Sequence, residues 1–100
     1  PIAEITDLTI ERTLSGAIIH ATGIAARQGA YDTELRLDPD SPDGVISYTF
    51  VVNYPSDPTP VGTPFSRTIH EAVTLSEQDM AGIRVIRVAG AGNARESRRR

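Results

Sequence analysis

The chain has no cysteine, no tryptophan and no lysine, only two histidines and a single methionine. Without cysteine there can be no disulfide, no thiolate metal site and no Cys nucleophile, and a Cys-free domain suits the cytosol and the periplasm equally. No apolar run approaches the ~18 residues that a membrane-spanning helix requires. No signal peptide is recognisable, and the first residue is Pro1, so removal of a preceding segment is expected. There is no Gly-x-Ser-x-Gly elbow and no Gly-rich phosphate loop. Catalysis is therefore not expected, and neither is a cofactor.

Charge is scarce on the positive side and unevenly placed. All ten cations are Arg, and four of them (Arg95, Arg98, Arg99, Arg100) fall in the last six positions. Residues 1–94 carry six Arg against twelve acids, a net −6. An acidic body argues against nucleic-acid binding, which needs a basic face. The reading is one domain over 1–94 and a flexible basic tail over 95–100, in which Arg98, Arg99 and Arg100 could meet an acidic partner or an anionic membrane surface.

What the sequence has in quantity is alternation. One hundred residues make one domain. In Glu4–Arg12 the Leu8 and Ile10 positions should point inward. Ser15-Gly16 turns the chain into Ala17–Ala26, where Gly23 marks a bulge or a close backbone approach. That strand should be central. Ala30–Asp38 sets Tyr31, Thr33, Leu35 and Leu37 on one face and Asp32, Glu34, Arg36 and Asp38 on the other. In Val45–Tyr54, Ile46, Tyr48, Phe50, Val52 and Tyr54 share a face. Three of the five aromatics lie there, so it should anchor the core.

The first four strands read as a meander. Pro55, Pro58, Pro60 and Pro64 then make a stiff segment that should carry the chain to a second sheet. After a strand over Ser66–Leu75, Ser76 and Asp79 have the form of a capping box. Leu75 and Met80 take the staple positions and Gly82 the left-handed stop, giving one helical turn near 76–81. A last strand spans Ile83–Ala89. The expected class is all-β: an antiparallel sandwich of about six to seven strands.

That helical turn before the last strand resembles the crossover before strand F of immunoglobulin-like and fibronectin-III-like sandwiches. Of the run Asp-x-Gly/Ala-x-Tyr-x-Cys, Asp79 and Ala81 match. Ile83 stands at the Tyr position and Val85 at the Cys position, so the tyrosine corner and the disulfide are absent. The segments Ile5-Thr-Asp-Leu-Thr-Ile-Glu-Arg12, Gly29-Ala-Tyr-Asp-Thr-Glu-Leu35, Val61-Gly-Thr-Pro-Phe-Ser-Arg67 and Ala81-Gly-Ile-Arg-Val-Ile-Arg-Val88 resemble small exported or lipoprotein-like proteins of alphaproteobacteria. The resemblance implies a periplasmic or cell-envelope location and carries over no functional residue.

Three constellations are candidate sites. Asp38, Asp40 and Asp43 lie within a seven-residue turn and could offer hard oxygen ligands to Ca²⁺. Their spacing departs from an EF-hand loop, two prolines restrict the backbone and no Glu follows, so an ordinary Asp/Pro turn is the better reading. His20 and His70 could neighbour each other in a sheet and hold Zn²⁺ with Glu71. Thr49, Val51 and Asn53, with Val45 and Ser47, form a weakly charged strand face that suits a protein partner unless a second sheet covers it. The expectation is a non-catalytic interaction module or accessory subunit of an envelope or membrane-associated assembly. A Ca²⁺- or small-ligand-binding domain and a structural protein of a virus or filament are the alternatives.

Overall fold

Period-2 alternation leaves each strand with one apolar face, and the fold buries those faces against one another in two layers. The computed structural model describes residues 1–98. One sheet contains β1 (Glu4–Thr13), β2 (Gly16–Ile24) and β5 (Thr68–Ser76) in the order β1-β2-β5. The other contains β3 (Tyr31–Leu37), β4 (Val45–Asn53), β6 (Val85–Ala89) and β7 (Ala94–Arg98) in the order β3-β4-β6-β7. This is a β-sandwich. Ile5, Ala17, Ile19, Ala21 and Leu75 meet Tyr48, Phe50, Ile86 and Val88 in a single core cluster. Burying each large apolar side chain contributes about 1.5–3 kcal/mol.

Two bulges set which residues face the core. Ile5 pairs with Gly23 and Asp7 with Thr22, so Thr6 is the extra residue. In a regular strand Ile5 and Leu8, three positions apart, would lie on opposite faces; the bulge turns both inward. The second bulge lies between Tyr31 and Glu34, where Asp32 takes φ 48°. It reverses the expected placement of Tyr31. Leu35 pairs with Phe50 on the inner face, whereas Tyr31 pairs with Asn53 on the outer face and is half exposed.

β2 is central, as its pattern suggested, and Gly23 marks a close approach. A Cβ there would meet the Ile2 side chain at 2.7 Å and the Glu4 carbonyl oxygen at 2.9 Å. The capping box forms with both of its hydrogen bonds over α1 (Glu77–Met80), and Leu75 and Met80 are both buried. Gly82 follows at φ 73°, in the left-handed region that glycine enters without strain.

The order of strands departs from the sequence reading in three ways. The chain forms two hairpins rather than a four-strand meander, because residues 25–30 already cross from β2 to the second sheet. The Pro-rich segment then returns it to β5. β4 and β6 run parallel, so the second sheet is mixed rather than antiparallel. A parallel pair needs a long crossover, and here the crossover passes through β5 and α1. Finally, Ala94–Arg98 are not a free tail: β6 supplies a template, and five residues pair with it from Ala89↔Ala94 to Val85↔Arg98. A boundary at 94 therefore cuts through the sheet. Arg99 and Arg100 lie outside the described residues.

β7 also closes one seam of the sandwich. The Asn93 Oδ1 accepts the Ile5 N–H at 2.7 Å and its Nδ2 donates to the Ile5 carbonyl oxygen at 2.8 Å. One side chain thus satisfies the outward-facing backbone groups of an edge strand. The Arg95 Nε adds a bond to the same oxygen at 3.2 Å. Beside it the Ile2 N–H donates to the Phe50 carbonyl, and the Ala91 N–H donates to the Ile2 carbonyl, each at 2.7 Å.

Candidate functional site

The register of β4 places Thr49, Val51 and Asn53 on the outer face of the four-stranded sheet, opposite Phe50 and Tyr48. The three-stranded sheet covers the inner face, so among the described residues no second sheet lies over these residues. Across this outer face Thr49 sits between Arg36 and Ala89, Val51 beside Glu34, and Asn53 beside Tyr31. Arg98 reaches the same face at its other end, paired through Val85 to Val45. Four of the six residues read as partner-contacting therefore share one surface. The other two, Arg99 and Arg100, lie outside the described residues.

Its electrostatics are muted at the β3 side. The Arg36 guanidinium bonds the Glu34 carboxylate at 2.8 Å, which neutralises that edge. An exposed pair of this kind contributes at most about 1 kcal/mol to stability. Tyr31 adds an exposed aromatic ring that the sequence reading had placed in the core. The signal that could have found it is Asp32, since Asp tolerates positive φ better than most residues and so suits the bulge.

The other candidates stand apart. Asp38 accepts the Asp40 N–H at 3.0 Å through its side chain, and its carbonyl accepts the Ser41 hydroxyl. These are bonds that hold a turn. Among the described residues no three carboxylate or imidazole side chains gather closely enough to share an ion. His20 and His70 do share the outer face of the three-stranded sheet. His20 pairs with Glu11 at 2.8 Å, and the His70 Nδ1 bonds the Thr22 hydroxyl at 2.9 Å. Glu71 points to the opposite face, where the Thr33 hydroxyl donates to its carboxylate at 2.6 Å.

At the far end of the Pro-rich loop, Arg27 acts as a pin. Its guanidinium donates to the carbonyls of Asp57 and Pro55 and to the Thr59 hydroxyl, and stacks over the Tyr54 ring at 5.1 Å. A stiff loop held this way presents Val61 and Phe65 to solvent.

A groove the sequence did not announce opens between the sheets on the side away from Asn93. It encloses about 500 Å³ between β3, β4 and β5, with Asp79 at its rim. Burial pushes the Tyr48 hydroxyl pKa up, and the nearby Asp79 charge adds to the shift. Asp79 itself is held below the usual carboxylate range by its bonds to Ser76.

Among the described residues no helix is long and apolar enough to cross a membrane. Comparison with protein-family models, curated proteins and solved structures gives no match.

Proposed function

We propose that this domain is a non-catalytic interaction module, an accessory subunit of a larger envelope-associated assembly. The observation that carries the reading is the outer face of the four-stranded sheet. Thr49, Val51 and Asn53 lie there with Tyr31, and among the described residues no second sheet is packed over them. A face that sets Thr49, Val51 and Asn53 beside an exposed Tyr31 and the arginines Arg36, Arg87 and Arg98 has the make-up of a protein contact, where Tyr and Arg are enriched. The envelope location rests on the resemblance of the sequence segments alone.

The test is affinity isolation from native cells with the wild-type domain and a Thr49→Arg/Val51→Glu variant. Both side chains leave the sheet outward, so the variant should keep its melting temperature. A partner retained by wild type and lost by the folded variant supports the reading. A monomer that retains nothing, or a partner held equally by the variant, overturns it. Cell fractionation tests the location: recovery wholly in the cytosol removes the envelope part.

A further inference from the structure

Among the described residues β5 is a long strand edge that also adjoins the groove, since Val73 and Leu75 line it. Sheet edges are templates for further pairing, and proteins blunt them with bulges, short strands or covering groups. The edge of β1 carries the Thr6 bulge and is clasped by Asn93 and Arg95 at Ile5, while Asp7–Thr13 run on in regular register away from the groove. That of β3 is broken by the bulge at Asp32, and β7 has only five residues. β5 has nine residues, ends its sheet, and keeps unbroken register with β2 from Thr68 to Ser76. It contains no proline. The Thr33–Glu71 bond joins it to β3 near its middle, and the Ser76 N–H is taken by the Asp79 carboxylate, so the open stretch is Ala72–Leu75.

Beside that stretch lies the groove. Leu35, Leu37, Ile46, Tyr48, Val73 and Leu75 line it, and Leu37 is 57% exposed at its mouth. A strand laid along β5 would send every second side chain into this apolar space, while its backbone completes the edge. The charge near the rim is net acidic: Asp79 lines the groove, and Asp38, Asp40 and Asp43 follow Leu37 in sequence, against the Arg84 guanidinium beside Gly44. A second copy of this chain would bring the same acids against them. A basic segment would not.

We propose that the Ala72–Leu75 edge and the adjoining groove bind an extended segment of a partner protein, in which small apolar residues alternate with polar ones and the ends are basic. This site is separate from the outer face of the four-stranded sheet and stands or falls without it.

The probe is a fluorescein-labelled octapeptide, Arg-Val-Thr-Val-Thr-Val-Thr-Arg. Two controls accompany it: one of equal composition with its valines contiguous, and one with Glu at both ends. Fluorescence anisotropy at low salt should give micromolar binding to the intact domain. Both controls should bind at least about tenfold more weakly, because one loses the alternation and the other the charge match. Amide exchange should show new protection within Ala72–Leu75.

Leu37→Lys places a cation at an already exposed position, so the fold should persist while peptide binding falls about tenfold. Thr49→Arg, on the outer face, should leave binding unchanged. Absence of binding, equal binding of the contiguous-valine control, protection confined to other strands, or sedimentation as a dimer joined through β5 would each overturn the proposal.

Discussion

Replacing Asn93 by Ala tests how the sandwich is sealed. Ile5 is fully buried as a residue, yet it is on an edge strand, and its N–H and carbonyl point away from β2. Asn93 supplies both partners, at 2.7 and 2.8 Å, from 88 residues away. Ala leaves the N–H orphaned, which costs about 1–3 kcal/mol. The carbonyl loses one donor but keeps the Arg95 Nε at 3.2 Å, so its loss falls toward the low end of about 0.5–1.5 kcal/mol. The sum is about 1.5–3.5 kcal/mol. For a domain of this size that lowers the melting temperature by roughly 6–28 °C. Urea titration followed by circular dichroism should show a lower midpoint with an unchanged slope.

Asn93→Asp sharpens the test. At neutral pH its carboxylate still accepts the Ile5 N–H but sets a second oxygen against the Ile5 carbonyl. Protonation restores a donor, so this variant should recover part of its deficit as pH falls toward 4, relative to wild type. A loss below about 0.5 kcal/mol for Asn93→Ala would mean that the backbone of Ile5 does not depend on this side chain.

Three further outcomes follow from the packing. Phe50→Ala should cost about 3–5 kcal/mol in chemical denaturation, because a wholly buried ring leaves a cavity between the sheets, and a cost under about 1 kcal/mol would invert the face of β4. Deleting residues 94–100 should lower the melting temperature by about 10 °C or more, since it strips β7 from β6 and the Arg95 bond from Ile5; an unchanged value would return those residues to the status of a tail. Asp79 titrates below its ordinary value in the folded state because it accepts the Ser76 N–H and the Ser76 hydroxyl bond. Its contribution is therefore present above about pH 4 and is lost as pH falls through the folded value, so Asp79→Asn should flatten the acid limb of the stability profile, and an unaltered limb would refute the assignment.

Much of this fold is legible wherever local chemistry decides the outcome. The apolar face of β4 follows from strict alternation, and the capping box follows from Ser76 and Asp79 at the required spacing. The bulges are not legible, since an extra residue in one strand is defined only by its partner. That is why Tyr31 reads as core and sits outside. Arg95–Arg98 read as part of a solvated tail because Arg-Glu-Ser-Arg has weak strand propensity. The pairing with β6 overrides that preference, as tertiary context commonly does in sheets. Of the candidate site, the shared face of Thr49, Val51 and Asn53 could be read from parity. Whether another layer covered it depended on how seven strands divide between two sheets, which no local pattern encodes. The groove depends on the same division.

The clasp of Ile5 by Asn93 also fixes an order in time. The first strand cannot be sealed until the loop before β7 has been made, 88 residues later. During synthesis at roughly 5–20 residues per second, β1 and β2 wait several seconds with their inner faces bare and the outward groups of Ile5 unpaired. The parallel pairing of β4 with β6 adds another contact of long sequence separation. Chains built on such contacts fold in milliseconds to seconds rather than microseconds. The domain thus completes itself only when nearly all of its chain is present, and the interval before that is when a chaperone would find its longest exposed strand edges.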